Sequence, residues 1–589
     1  MGEKCMAEKK LVTQSRARRT ARIQMDDGKF WSAPVGTPLE TYFKAAYPQW
    51  VPMVRGDGPI DRTVVAAVVN GSLRELTYRM HWDAEVKPLF LQDSDGLRIY
   101  RRSLSLLLVV AANELFPGRK IMISHSLTFG GYYCYVERGK PLTPDELAQI
   151  KARMQEIVAA DERIVREPVV LDDARAYFEA NGDDDKLRLL KSRKRNYVIL
   201  YTLRGYRDYF YGYMVPSTGY LTVFDLWSDG EGFILHYPRS KDPTVLQEPA
   251  ALPKLRAVFE ESGRWLQLLR VEDVGALNVI NREGHMAELI LVAEALHESR
   301  YADIADAILE RQPDARLVLL AGPSSSGKTT SSKRLAIQLK THGLRPFTLG
   351  MDDYFVSRDA TPRDAYGNYD FEHIDAVDVD LFNQHALQLL DGKEVQLPRF
   401  NFLSGEREKG ERVRLERDQV LIVEGIHALN PDLVPRIPRE RIFRLYVSCL
   451  TQLNIDRHNR VPTTDVRLLR RIVRDAASRG YSAVDTIGRW DSVRNGERRW
   501  IFPYQENADV MFNSALVYEL AVLRPLAEPL LLQVTSDQPQ HIESKRLLSF
   551  LSWVEPYEDR TLVPANSVLR EFIGQSILKD YVPGHASPR

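Results

Sequence analysis

The nine residues Gly322-Pro323-Ser324-Ser325-Ser326-Gly327-Lys328-Thr329-Thr330 constrain this chain more than any other stretch. They follow the apolar run Leu317-Val318-Leu319-Leu320-Ala321, which suits a buried strand, and lead into an amphipathic helical stretch from Ser331 through Leu335 and Ile337 to Leu339. Strand, GxxxxGK[ST] loop and helix in that order are the setting in which this motif binds phosphate. Its glycines let the backbone curl until successive N–H groups point at phosphate oxygens, and the helix start adds the positive end of its dipole. In such a loop Lys328 reaches the β- and γ-phosphates and the Thr329 hydroxyl can ligate Mg²⁺. Gly322, Ser324, Ser325, Ser326, Gly327 and Thr330 complete the cradle. The implied core is α/β, with a parallel sheet between helices. The bland alternative is a Gly/Ser-rich turn with no ligand.

Two further apolar runs end in acids. Pro346 to Met351 leads into Asp352-Asp353-Tyr354-Phe355, and Val420 to Val423 ends in Glu424-Gly425. Acids at the carboxyl ends of strands beside a phosphate loop face the ligand crevice. Asp352 can take a proton from an attacking hydroxyl or hold the metal, and Glu424 is the second acidic partner of the metal. A helix cap or turn acid is the plain alternative for each. No NKxD-like element is present, which argues against a GTPase.

Residues 316–515 resemble the uridine kinase/phosphoribulokinase family, and the uridine kinases most. The likeness rests on the phosphate loop, Leu349-Gly-Met-Asp352-Asp-Tyr-Phe355, Tyr369-Asp-Phe371-Glu372-His373-Ile-Asp375-Ala376, Val423-Glu424-Gly425-Ile426 and Ala508-Asp509-Val510. Between them, Gly392 to Phe402 alternates, turns over the polar 404–411 segment and returns at Val413 to Leu415, like the family's flap over the acceptor nucleoside. The resemblance implies ATP and Mg²⁺ as cofactors, Asp352 as base and metal contact, and Thr329 and Glu424 completing the metal site. It puts Glu372 at a ribose-binding aspartate position, and Phe371, Phe400 and Phe402 at base-packing positions. The family's base-contacting histidine aligns with Gly405. Arg467, Arg471 and Arg474 share a helix face by their spacing. The resemblance makes Arg471 a ribose-side arginine and Arg474 and Arg479 lid arginines. A solvated cationic face is the alternative.

Upstream, the pattern is hairpin, helix, hairpin. Arg22 to Val35 turns at Asp26-Asp27-Gly28-Lys29. Thr37-Pro38-Leu39-Glu40 spells a helix start with Thr37 as cap, and Val64 to Leu76 turns at Asn70-Gly71. This resembles the TGS domain, a small β-grasp module of threonyl-tRNA synthetases and some GTPases. Asp95-Gly96-Leu97 running into Arg101 to Leu107, followed by His125-Ser126 and Gly131-Tyr132-Tyr133, is similar to the second, editing-type domain of threonyl-tRNA synthetase. In that family the helix carries two catalytic histidines four apart. Arg102 and Leu106 stand there instead, and neither relays a proton near neutral pH, so no hydrolytic editing is expected. His125 and Cys134 read as core.

The resulting layout is a basic tail over 1–20, a TGS-like domain over 21–92 and an editing-like α+β region over 93–275. A phosphate-loop kinase-like domain follows over 276–515, then a helical segment over 516–589 that packs against the N-terminal module or another subunit. A chain of 589 residues is too long for one core. Lys plus Arg equal Asp plus Glu at 80 each, so net charge gives no pull toward nucleic acid or anionic membrane. Three distant cysteines, Cys5, Cys134 and Cys449, make neither a disulfide framework nor a zinc site, which suits the cytoplasm. No run reaches the ~20 apolar residues that cross a bilayer.

The expected partner is a small acceptor, a nucleoside by preference, with a second copy of the chain as a further expected partner. Two alternatives stay open: a sugar or sugar-phosphate acceptor, and a nucleotide-sensing RNA- or ribosome-associated regulator. RNA is suggested by Lys186, Arg188, Lys191, Arg193, Lys194 and Arg195 ahead of Tyr197, Tyr201, Tyr206, Tyr209, Phe210, Tyr211 and Tyr213. A β-rich segment with one solvated face explains the same residues.

Overall fold

A computed structural model describes residues 17–47, 63–239, 242–363, 367, 369–401, 404–451 and 453–585. The tail to residue 16, Cys5 and Phe402 lie outside the described residues. The chain forms two compact units that do not follow its order. One holds 1–120, 136–168 and 199–247, the other 121–135, 169–198 and 248–589.

In the first unit a five-stranded sheet runs in the order Phe30–Pro34, Thr20–Met25, Ala84–Phe90, Val64–Val69, Ser72–Glu75. Thr20–Met25 and Ala84–Phe90 are parallel, and the outer pairs are antiparallel hairpins. The helix Leu39–Ala46 buries Leu39, Tyr42 and Phe43, and the Tyr42 hydroxyl donates to the Ala21 carbonyl at 2.9 Å. The expected cap does not form. Thr37 donates its hydroxyl to the Pro34 carbonyl at 2.7 Å, leaving Pro38 at the cap position, while Glu40 pairs with Lys44 and Arg163. Along the helix Ser94–Leu115, Leu106 is fully buried and Arg102 donates to the Tyr213 carbonyl at 2.7 Å. The two positions hold packing and a structural cation.

Much of the basic, aromatic 186–213 stretch is spent internally. In the second unit Lys186 pairs with Asp456 at 3.0 Å, both buried, Arg188 pairs with Asp273, and Arg193 lies over Trp553. In the first unit Tyr201 is buried and donates to Glu75 and the Gly212 carbonyl. His125, in the second unit, stacks on Phe259 with centroids 3.7 Å apart, and Cys134 is buried.

The second unit is built on a parallel sheet. Its elements are β1 (Leu317–Ala321), α1 (Lys328–Thr341), β2 (Arg345–Gly350), α2 (Val379–Leu390), β3 (Val395–Asn401), β4 (Glu406–Val413) and β5 (Gln419–Glu424). β6 (Ile442–Ser448), α3 (Thr463–Ser478), α4 (Ala483–Trp500), β7 (Val510–Asn513), α5 (Glu519–Leu532) and α6 (His541–Leu551) follow. The sheet order is β2-β5-β1-β6-β7, all parallel, with β1 central and buried throughout. Alternate residues of β1 feed two cores. Val318 and Leu320 pack with Leu335 and Leu339 of α1, and Leu317 and Leu319 belong with Phe382 and Leu389 of α2. Burial on both faces explains why β1 reads as one apolar run. β3 and β4 form the expected hairpin, with a register shift between Gln396 and Pro398.

The C-terminal segment departs from expectation by packing within this unit. Arg546 of α6 pairs with Asp465 of α3, and Phe572 is buried beneath the Arg470 guanidinium. The Pro583 carbonyl accepts from the Thr348 amide at 3.1 Å, and His585 Nε2 meets the Thr348 carbonyl at 2.8 Å. β2 is the edge strand, so these bonds cover backbone groups that no neighbouring strand satisfies. Among the described residues, no helix is long and apolar enough to cross a membrane.

Candidate active site

β1 ends where Gly322 begins the loop. A Cβ at Gly322 would lie 2.0 Å from the Val447 carbonyl of β6, so only glycine lets the loop leave the sheet there. Gly327 takes a left-handed φ of 87° and hands the chain to α1, which starts at Lys328. Ser325 also has positive φ, at 58°. The hydroxyls of Ser325 and Ser326 are buried without hydrogen-bond partners. Thr330 donates its amide (3.3 Å) and hydroxyl (2.8 Å) to Glu571, and Val568 lies against Gly327. The C-terminal segment therefore reaches the phosphate loop itself, which its apolar pattern did not signal.

Three carboxylates surround Lys328 of the loop, two of them from strand ends. Glu424, the last residue of β5, accepts from the Thr329 hydroxyl at 3.0 Å through Oε1, while its Oε2 has no hydrogen-bond partner. Asp352 sits in the tight turn after β2, open to solvent on one side. Glu372 lies before the short turn Ile374–Ala376, and its Oε2 is buried without a partner. Lys328 Nζ donates to the Pro323 carbonyl at 3.1 Å, and its charge acts on all three acids. Burial lowers the ammonium's proton affinity, and Glu424, Glu372, Glu571 and Asp352 oppose that. Glu424 is pushed up to about 7, chiefly by burial, with Lys328 and the Thr329 bond pulling the other way. Burial and then Glu497 push Glu372 up to about 7, against Lys328 and Arg471. Asp352 is raised by the protein around it and by Asp353, against Lys328 and Arg479.

These residues fit a divalent cation. Among the described residues no three His, Cys, Asp or Glu side chains are grouped tightly enough to hold a metal alone. Mg²⁺ usually takes only one or two carboxylates, with substrate phosphates and water completing its shell. Thr329, Glu424 and Asp352 supply such a set, and the unpartnered Oε2 of Glu424 is an oxygen that a cation would satisfy.

The arginines divide. Arg471 donates to the Ser324 hydroxyl at 3.0 Å and contacts Asp475 at 3.3 Å. Arg474 and Arg479 turn to the same Asp475, a nearly buried acid that gathers all three and that spacing alone did not reveal. Arg467 does not join them. It is buried and paired with Glu497 of α4, so the shared face holds one internal arginine and two that reach the cleft rim.

Phe355 collects Phe371 and Phe400, each with centroids 5.6 Å away. Asp353 accepts from the Phe400 amide at 3.2 Å and fastens the hairpin to the strand carrying Asp352. At Gly405 a Cβ would lie 2.7–2.9 Å from atoms of Arg358, whose backbone amide donates to the Gly405 carbonyl. Arg358 fills the space that a larger residue at 405 would need.

Residues 317–521 match the model of the Phosphoribulokinase / Uridine kinase family. The N-terminal part is similar to threonine–tRNA ligases. That of Bordetella petrii is 37% identical over 155 residues, 26% of this chain and 24% of the ligase. The chain thus spans about a quarter of the length of these relatives. Among solved structures, a putative fructose transport system kinase from a Silicibacter species is 22% identical, covering 36% of this chain and 98% of its own, with a TM-score of 0.27. A possible uridine kinase from Bacillus stearothermophilus is 20% identical over the same shares, with a TM-score of 0.26.

Proposed function

We propose that residues 276–515 form a kinase that moves the γ-phosphoryl group of ATP to a hydroxyl of a small ribose-like acceptor, a nucleoside by preference. The observation that carries this reading is that Lys328 and Thr329, at the start of α1 just after β1, lie among Glu424 at the end of β5, Asp352 in the turn after β2, and Glu372. In this reading Asp352 takes the acceptor's hydroxyl proton as its oxygen bonds to the γ-phosphorus and the bridging bond to ADP breaks. Its raised proton affinity suits a base. Bound Mg²⁺, held by Thr329, Glu424 and Asp352, would neutralise phosphate charge. Lys328 and the loop amides between Ser324 and Thr330 hold the triphosphate, the amides of those two end residues being taken by Glu497 and Glu571. Arg474 and Arg479, parked on Asp475, swing over it as the cleft closes. Glu372 and Arg471 hold the acceptor's hydroxyls, with Phe371, Phe400 and Phe402 as apolar walls.

We place a TGS-like module at 21–92 and an editing-like region at 93–275, without hydrolytic chemistry. The test is ADP release from MgATP against nucleosides, nucleotides, sugars, sugar phosphates, polyols and amino alcohols. Stimulation by nucleosides supports the reading, and stimulation only by sugars or sugar phosphates moves the acceptor class. No stimulation by any compound, with RNA bound in a salt-dependent way, overturns it in favour of a nucleotide-gated RNA regulator.

A further inference from the structure

Helix α4 comes against Glu372 at a glycine. A Cβ on Gly496 would lie 2.3 Å from the Cβ of Glu372, so no other residue permits this approach. The next residue, Glu497, faces the phosphate loop. It is fully buried and accepts from the Ser324 amide at 3.1 Å. Its carboxylate is paired with Arg467, equally buried, whose Nε donates to the Ser324 carbonyl at 2.8 Å. One ion pair thus holds both main-chain groups of Ser324, while Arg471 holds its hydroxyl.

Satisfying one amide and one carbonyl does not require a buried ion pair. Two charges taken out of water are expensive, and an apolar pair of similar volume is often as stable or more so. What the pair supplies is direction. It joins α3 and α4, the helices bearing Arg471 and the wall behind Glu372, to the loop three residues before Gly327-Lys328-Thr329.

We propose that Glu497 and Arg467 are positioning residues that fix the phosphate loop relative to the acceptor wall, so that the pair governs phosphoryl transfer rather than nucleotide affinity. This rests on the kinase reading of the site. The loop amides and Lys328 still bind the triphosphate when the pair is disturbed, because neither Glu497 nor Arg467 supplies a phosphate ligand. What changes is the line from acceptor oxygen to γ-phosphorus, and a misplacement near 1 Å can cost roughly 100-fold in rate. None of the uridine kinase-like motifs includes Glu497, which lies between Arg479 and Ala508.

The test uses the full chain and steady-state ADP release with MgATP. Glu497→Gln keeps an oxygen for the Ser324 amide but leaves Arg467 uncompensated. Arg467→Lys keeps the charge but loses the Nε that holds the Ser324 carbonyl and the fork that grips Glu497. Both are expected to lower kcat by about 10- to 100-fold while KM for ATP moves less than about 3-fold. Gly496→Ala should instead raise KM for the acceptor and leave KM for ATP unchanged. A lower melting temperature with unchanged kcat would show a structural strut and overturn the proposal. So would a loss carried mainly by KM for ATP. If the wild type turns over no acceptor, the kinase reading fails on that control. The same kcat-against-KM comparison on acceptor-free ATP hydrolysis then decides the pair separately.

Discussion

At the scale of single residues, the site is organised by one cation among acids. Lys328 lies among Glu424, Glu372, Asp352 and Glu571, and its charge opposes the burial that raises Glu424, Glu372 and Asp352. On the proposed reading its removal therefore strips a phosphate ligand and that opposing charge together. We expect Lys328→Ala to lower turnover by about 100-fold or more with the circular dichroism spectrum intact. Undiminished ATP consumption by the folded variant would exclude this lysine from the chemistry. The two glutamates set a pH dependence whose sign follows from burial. Both sit near 7 in the protein, above the ordinary carboxyl value, and both are read as working ionised. Turnover at subsaturating substrate should therefore rise with pH through about 7. Saturating Mg-nucleotide should move the limb to lower pH, because a cation favours the charged carboxylate. The ligand-free fold shows the opposite trend. A carboxyl raised in the folded state adds stability below its unfolded value and loses it as pH climbs through the folded one. Melting temperature without nucleotide should fall between about pH 4.5 and 7 from these two groups. A flat pH–rate profile from 6 to 8 would contradict the assignment.

At the scale of elements, the hairpin was legible and the C-terminal segment was not. β3 and β4 alternate around a polar turn, a local signal that needs no partner to read. By contrast, the residues near 583 carry no pattern that says which backbone they will meet. In the fold they lie along Thr348 of β2, the one exposed edge at that side of the sheet. Removing residues 581–589 should uncover that edge and promote association, seen by light scattering, while ATP turnover per folded molecule changes little. A strictly monodisperse truncated protein would show that the edge is protected by other means. The cap at Leu39 teaches a related lesson. Thr37 and Glu40 had the spacing of a capping box, yet Thr37 found the Pro34 carbonyl and Glu40 found Lys44 and Arg163. A competing local bond to the preceding turn, the i,i+4 partner Lys44 and the distant Arg163 together displaced a capping bond worth about 1 kcal/mol.

At the scale of the whole molecule, the acceptor wall bears on selectivity. Phe400 carries no hydroxyl, and the space at Gly405 is taken by Arg358 instead of an imidazole. A pocket that hydrogen-bonds its ligand discriminates strongly, whereas an apolar one does so weakly. Base selection is therefore expected to be loose, with kcat/KM for uridine, cytidine and purine nucleosides within about 10-fold of one another. A preference of ~100-fold or more for pyrimidines would assign the reading role to Arg358 or a neighbour. The sequence by itself determined the phosphate loop, its flanking strand and helix, the two acids at strand ends and the flap, because each is written in contiguous residues with local periodicity. Only the tertiary structure decided that Asp475 gathers Arg471, Arg474 and Arg479, that Glu497 and Arg467 grip Ser324, and that Glu571 reaches Thr330. Ser324 and Glu497 are 173 residues apart, and Thr330 and Glu571 are 241 apart. Which buried charge finds which partner over such separations depends on how helices pack. Packing answers to shape and burial summed over many contacts, which no stretch of sequence carries alone.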